Sequence, residues 1–143
     1  MRRYFITFLT VLFCDVVSKL VIQAHFPGEF VVNKGISWSL FHSTNPAVAG
    51  FVAGCVGAFV ALFGWYTFVQ IKHQEHAFGE VVVLAGASAN LLDRLIYGGV
   101  VDFIVIGCCG YTWPLFNLAD FAIVTGVAIM VLRLPLYRRY RDY

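Results

Sequence analysis

Four long apolar segments constrain the fold of this chain more than any other feature. A helix needs about 20 consecutive, mostly apolar residues to cross the hydrocarbon core of a bilayer, and each segment approaches that length. Turn-forming or polar residues separate each segment from the next. The sequence therefore predicts an all-α membrane protein, a single domain over residues 1–143, with four transmembrane helices at about 4–24, 47–70, 78–96 and 115–136.

The basic residues predict the orientation of these helices. Most fall at the amino terminus, in the second loop and at the carboxyl terminus: Arg2, Arg3, Lys72, Arg133, Arg138, Arg139 and Arg141. With four spans these regions share one side of the membrane, which the positive-inside rule makes cytoplasmic. We therefore expect cytoplasmic termini and outward-facing loops at about 25–46 and 97–114. The formal net charge of +2 is too small to favour nucleic acid as a partner.

The first segment has an alternative interpretation as a lipoprotein signal peptide. Arg2 and Arg3 precede an apolar run that reaches Cys14. A cleavage site requires small residues just before the cysteine, whereas a leucine and a phenylalanine occupy those positions. The apolar run also continues beyond the cysteine, so a retained helix is the better interpretation.

Four aspartates lie where such a chain should carry few charges: Asp15, Asp93, Asp102 and Asp120. Charged groups within a membrane are costly, so they usually face the bundle interior and mark a functional site. A helix rises about 1.5 Å per residue. Counting residues from the predicted helix ends places Asp93, Asp102 and Asp120 together at the outer edge of the hydrocarbon. Asp15 lies nearer the middle.

Two of these aspartates have a structural interpretation. Asp15 and Lys19 are four residues apart on one predicted helix, so their side chains can pair, and we interpret them as a structural ion pair. Asn90, Asp93 and Arg94 form a polar face on the third helix, and such groups hydrogen-bond across helix interfaces. We expect Asp93 to support the site, because the adjacent arginine would keep it ionised.

Asp102 and Asp120 differ because neither has a basic neighbour and both lie in apolar company. Two carboxyl groups brought together in such surroundings cannot both ionise cheaply, so the pair retains a proton. Aspartic proteases use this arrangement, with one group acting as base and the other as acid. These two aspartates are therefore the candidate catalytic residues.

Five short motifs resemble those of the lipoprotein signal peptidase (signal peptidase II) family. They are Asp15-Val16-Val17-Ser18-Lys19, Asn33-Lys34-Gly35-Ile36-Ser37-Trp38, Asn90-Leu91-Leu92-Asp93-Arg94, Val100-Val101-Asp102-Phe103 and Phe116-Asn117-Leu118-Ala119-Asp120. Each motif is weak alone. Their order, and their placement on the predicted spans, make the resemblance specific, and it extends over nearly the whole chain.

The resemblance implies an intramembrane aspartic endopeptidase that cuts prolipoproteins before a diacylglyceryl-modified cysteine. It implies that Asp102 and Asp120 are the catalytic pair, with supporting or substrate-contacting positions at Asn33, Asn90, Asp93, Arg94 and Asn117. It also implies a bacterial cytoplasmic (inner) membrane location, an active site at the outer, periplasmic face, and a small β-structured cradle in the first outward loop, at about 30–41. No metal or other cofactor is expected.

Two other functions remain open, a small ion- or proton-coupled transporter subunit that uses intramembrane carboxylates and a purely structural membrane partner. The second apolar segment carries no charged residue, and the acids cluster at one edge. This distribution disfavours conduction across the membrane. The expected partners are prolipoproteins and membrane lipids, and a monomer is the simplest assembly.

Two further pairs of residues are given a plain interpretation. His73 and His76 have no cysteine partner nearby, and a metal site normally needs three or four ligands. Cys108 and Cys109 are adjacent, and a disulfide between neighbours is strained. We therefore expect no metal at the histidines and free thiols at the cysteines.

Overall fold

A computed structural model describes residues 1–35, 45–73 and 75–141, with side chains described as far as residue 133. Within these residues the chain is mostly helical, with two small antiparallel sheets. The elements are α1 (Arg2–His25), β1 (Val31–Asn33), α2 (Pro46–Lys72), α3 (Phe78–Tyr97), β2 (Val100–Asp102), β3 (Gly107–Cys108), β4 (Tyr111–Thr112) and α4 (Leu118–Arg141). The first three helices begin and end within two residues of the predicted apolar segments.

The helical surface suits lipid. α1 and α2 are long and apolar enough to cross a membrane. α2 buries only Val52 and Thr67 among its described side chains, while Phe51 and Leu62 are each 73% exposed. Extensive exposed apolar surface marks contact with a membrane or a partner, and we identify the chain as a membrane protein. α3 carries three charged residues, and the count of four spans stays a prediction.

Small residues bring α3 and α4 into close contact. A Cβ atom added at Gly126 of α4 would lie 2.6 Å from the backbone oxygen of Gly79 on α3. A Cβ atom added at Gly86 of α3 would lie 2.5 Å from the backbone oxygen of Ala119. Small residues let helix backbones approach in this way. The contact at Gly86 places the start of α4 directly against α3.

Gly86→Ala should therefore lower the free energy of unfolding, by about 1–3 kcal/mol as is typical of overpacking. The added methyl group meets a backbone oxygen, which cannot rotate away. Thermal unfolding in detergent measures the effect. Gly54→Ala on α2 is a matched control, because nothing lies within 4 Å of its Cβ position and alanine favours a helix more than glycine does. Equal losses in the two variants would contradict the close contact.

β1 and β2 form a two-stranded antiparallel sheet that joins two loops distant in sequence. Val31 pairs with Asp102, and Asn33 pairs with Val100. Gly98 caps the carboxyl end of α3 with a φ of +69°, which glycine readily adopts. Of the predicted cradle at 30–41, residues 31–33 form strand β1, and the part from 36 onward lies outside the described residues.

A longer two-stranded ribbon, here called the outer ribbon (residues 104–116), follows β2. At its base Ile104 donates its N–H to Phe116 O at 2.8 Å, and Phe116 donates back to Ile104 O at 3.2 Å. Further out, β3 pairs with β4. The hydrogen bonds between Ile104 and Phe116 keep residues 115–117 outside the helix. α4 therefore begins at Leu118, three residues later than the predicted start at 115.

Candidate active site

Asp102 and Asp120 lie at the two ends of the connection that contains the outer ribbon. Asp102 ends β2, and Asp120 lies in the first turn of α4. The side-chain amide of Asn117 donates to Asp102 Oδ1 at 2.7 Å, and the backbone N–H of Asn117 donates to Asp120 Oδ2 at 3.3 Å. One residue thus bonds both carboxyl groups. The structure brings the two predicted catalytic residues together.

The start of α4 fixes the position of Asp120. Asn117 Oδ1 accepts a hydrogen bond from the backbone N–H of Asp120 at 2.9 Å, while Asp120 Oδ2 accepts from the N–H of Asn117. This reciprocal pair across three residues is a capping box. The first turn of a helix is also a favourable place for negative charge. The Asn-x-x-Asp spacing carried this signal, which sequence analysis missed.

The side chain of Asn33 is oriented by its neighbours on the connection between α1 and α2. Its Oδ1 accepts from the backbone N–H of Gly35 at 3.0 Å, so its amide group is left to donate to Asp102 Oδ2, at 3.0 Å. Arg94 donates to the backbone oxygen of the same Gly35 at 2.7 Å. Hydrogen bonds from Asn33 and Arg94 therefore hold the loop at Gly35. The amide of Asn33 donates to one member of the aspartate pair Asp102 and Asp120, here called the dyad.

Asn90 is oriented in the same manner by a buried ammonium group. Its Oδ1 accepts from Lys19 Nζ at 3.2 Å and from the amide of Asn117 at 3.2 Å. An ammonium group can only donate, so the amide of Asn90 points the other way and donates to Asp120 Oδ1 at 2.8 Å. Both oxygens of Asp120 therefore receive a donor.

Lys19 is the centre of a buried ion network. It is 2% exposed and contacts Asp15 at 2.6 Å and Asp93 at 2.9 Å. The expected Asp15–Lys19 contact is thus present. The contact of Asp93 with Lys19 was not anticipated from the sequence, and Arg94 hydrogen-bonds the backbone oxygen of Gly35.

The same network holds the backbone beside each candidate catalytic residue. Asp15 Oδ1 accepts from the N–H of Ala119 at 2.7 Å, immediately before Asp120. Asp93 Oδ2 accepts from the N–H of Val101 at 3.0 Å, immediately before Asp102. The two supporting aspartates therefore position the two candidate catalytic ones. Sequence analysis missed this symmetry, because the residue type does not show which backbone N–H group donates to a side chain.

Burial raises the pKa of Asp102 from 3.8 to about 6. The side chain is 4% exposed, which penalises its charged form. The hydrogen bond from Asn33 opposes this rise, the negative charge of Asp120 adds to it, and the hydrogen bond from Asn117 opposes it again. Asp102 is therefore able to hold or release a proton near neutral pH.

The chemistry available at this site is acid–base chemistry between two carboxyl groups. Asp120 is half-buried and bonded by amide donors, while Asp102 is buried with a raised pKa. Over the described part of the chain, no cluster of three or more histidine, cysteine or acidic side chains has an arrangement suited to a metal ion. Of the predicted motif residues, Ile36, Ser37 and Trp38 lie outside the described ranges.

Comparisons with known proteins agree with the resemblance seen in the motifs. The family model of signal peptidase (SPase) II matches residues 7–136. A lipoprotein signal peptidase of Desulforapulum autotrophicum is 35% identical over 113 residues, covering 78% of this chain and 70% of that protein. A lipoprotein signal peptidase of Blochmanniella pennsylvanica is 28% identical over 138 residues, covering 87% of this chain and 84% of that protein. The transporter alternative gains no support from these relatives.

Solved structures share the fold. One bacterial membrane enzyme structure has a TM-score of 0.71 and 22% sequence identity, and the match covers 94% of this chain and 88% of that one. A second has a TM-score of 0.65 and 21% identity, covering 94% and 93%. At these identities the likeness concerns the architecture alone.

Proposed function

The chain belongs to the signal peptidase II family, and from this we propose that it removes signal peptides from prolipoproteins as an intramembrane aspartic endopeptidase. The bond hydrolysed is the one before the diacylglyceryl-modified cysteine. Asp102 and Asp120 are the catalytic pair. The observation that carries this proposal is that Asn117 hydrogen-bonds both carboxyl groups.

The proposed topology has four spans with both termini in the cytoplasm, in a bacterial inner membrane. The distribution of basic residues supports this orientation. The catalytic pair then lies at the outer, periplasmic face, beside β1, β2 and the outer ribbon. A lipid-anchored cysteine would reach the site at this same level, where acyl chains meet the headgroups.

In the proposed mechanism Asp102 is the acid and Asp120 is the base. Asp120 takes a proton from water as the water attacks the carbonyl carbon of the scissile bond. Protonated Asp102 transfers its proton to the developing oxyanion, which gives a neutral gem-diol intermediate. Collapse of the tetrahedral intermediate passes a proton from Asp120 to the departing amine and returns a proton to Asp102. The burial of Asp102, and the place of Asp120 at a helix start, support this division of roles.

The donor side chains around the dyad have separate parts in this mechanism. Asn90 and Asn117 direct donors at the carboxylate of Asp120 and at Asp102, so they preserve the orientation of both acids. Asn33 donates to Asp102, and Arg94 holds the neighbouring loop through the backbone oxygen of Gly35.

The direct test of the function is an assay of the purified protein with a lipid-modified prolipoprotein in detergent or vesicles. We expect release of the signal peptide, and we expect the same precursor without its diacylglyceryl group to be a poor substrate. A protein that catalyses no cleavage of the modified precursor, while remaining folded, would contradict the proposal.

The pH dependence should reveal which group carries the proton. Because Asp102 must be protonated, kcat/KM should decrease as pH rises through about 6. Asn33→Ala removes a hydrogen bond that favours the charged form, so the midpoint of this decrease should move to higher pH. The pH profile of kcat/KM, measured for both proteins, checks the direction.

A matched control for that shift is Gln70→Ala, whose amide bonds Tyr66 on α2 and should leave the midpoint in place. The free energy of unfolding should also decrease as pH rises. A carboxyl group with a raised pKa in the folded state, such as Asp102, stabilises the fold below pH 3.8, and this contribution is lost as pH rises through about 6. A midpoint that moves to lower pH in Asn33→Ala would overturn the assignment of the acid.

A further inference from the structure

The outer ribbon ends in a two-residue turn made by Cys109 and Gly110. β3 and β4 pair Cys108 with Tyr111, so the two residues between them form the loop. Both have positive φ, +53° for Cys109 and +83° for Gly110, as a type I′ hairpin turn requires. Among the residues that the structure describes, Cys109 is the only non-glycine with a positive φ.

This turn brings two thiols together. Neighbouring side chains in an extended strand point to opposite faces, but the left-handed backbone at Cys109 ends the strand. Its Sγ lies 3.4 Å from the Sγ of Cys108. Both side chains are exposed and both thiols are free. Sparsely populated backbone conformations concentrate at functional sites, and here one lies at a pair of exposed thiols.

We propose that Cys108 and Cys109 form one dithiol site that reacts as a unit with disulfides. The thiolate of one cysteine attacks a disulfide RSSR, forms a mixed disulfide and releases one RSH. The second cysteine then attacks its neighbour's sulfur, releases the other RSH and closes a Cys108–Cys109 disulfide. The cysteines lose two electrons and two protons, and RSSR gains them as two RSH molecules.

The closed form should be readily reduced again. Consecutive Cα atoms lie about 3.8 Å apart across a trans peptide, whereas disulfide-bonded residues usually have Cα atoms about 4.4–6.8 Å apart. A bond between sequence neighbours is therefore strained, and strained, exposed disulfides are the labile ones. Two thiols RSH reopen it by the reverse of these two exchange steps, regenerating RSSR and both cysteine thiols.

The position of the pair in the fold gives it access to such partners. In the proposed topology, on which this step rests, the outer ribbon faces the side of the membrane where disulfides form and persist. The ribbon also connects the pair with the dyad. Its base begins two residues after Asp102 and ends one residue before Asn117.

Oxidised glutathione is a suitable probe disulfide for the full-length protein in detergent. The variant Cys14→Ala/Cys55→Ala removes the other two cysteines of the chain. We expect intact mass to show loss of two hydrogens without retained glutathione, reversed by a dithiol reductant. Adding Cys108→Ser or Cys109→Ser should trap one glutathione. Because the second step is intramolecular, the two-thiol protein should hold less mixed disulfide than either single-cysteine variant.

Three results would overturn the dithiol site. They are two retained glutathione molecules per chain, absence of reaction at either thiol, or a disulfide-linked dimer as the main product. None of these results depends on prolipoprotein cleavage, so the test is separate from that of the enzymatic function.

Discussion

Asp102→Asn and Asp120→Asn should each abolish cleavage of a lipid-modified prolipoprotein. An amide can neither accept the proton of the attacking water nor donate an acid proton to the oxyanion. Such proton transfers contribute about 10²–10⁴-fold to enzymatic rates, and the two acids act as a unit. We therefore expect kcat/KM to fall by about 10³-fold or more in either variant, measured as signal peptide released.

These variants should keep their fold, because asparagine matches the shape of aspartate and adds no buried charge. Thermal unfolding in detergent establishes this alongside the activity assay. Glu29→Gln provides the matched control, since it replaces an exposed carboxyl group between α1 and β1 with an amide and should leave cleavage unchanged. Substantial activity in either aspartate variant would remove the dyad from the mechanism.

Lys19→Met should cause the largest loss of stability. Lys19 is 2% exposed and pairs with two carboxylates, Asp15 at 2.6 Å and Asp93 at 2.9 Å. Removing the cation leaves both negative charges buried and unpaired. Breaking a buried ion pair in this way typically costs about 3–5 kcal/mol of unfolding free energy. Equilibrium unfolding in detergent measures the loss, and thermal unfolding should show a large decrease in Tm.

Two comparisons sharpen this experiment. Lys72→Met changes an exposed lysine at the end of α2 and should have little effect. The double variant Lys19→Met/Asp93→Asn should be more stable than Lys19→Met alone, because one of the two unpaired charges is gone while an amide oxygen can still accept from Val101. If Lys19→Met loses activity with stability intact, the lysine acts in the chemistry and the structural interpretation is wrong.

Much of this site could be predicted because charged side chains are energetically costly within a membrane. Asp102 and Asp120 stood out as acids in apolar company, and counting residues along the predicted helices placed them at one level. The Asp15–Lys19 pair followed from a four-residue spacing within one helix. These inferences used only local sequence and the high cost of charge in lipid.

Contacts between distant segments were beyond the reach of the same reasoning. The pairing of β1 with β2 joins residues 31–33 to residues 100–102, and nothing in three-residue stretches specifies such a partner. The later start of α4 depends on the bond between Ile104 and Phe116. The contact between Asp93 and Lys19 depends on how α1 packs against α3, and helix periodicity alone does not determine that packing.

Asp15 and Asp93 each hold the peptide group just ahead of a proposed catalytic acid, and one lysine joins them. The entropy of arranging the acids is consequently lost once, when the protein folds, and not again at every turnover. Because the backbone beside both acids is fixed by these hydrogen bonds, the pair cannot adapt its geometry to different substrates. Discrimination among precursor proteins must then come from groups that contact the rest of the peptide or its acyl chains. The two acids should have the same geometry with every substrate.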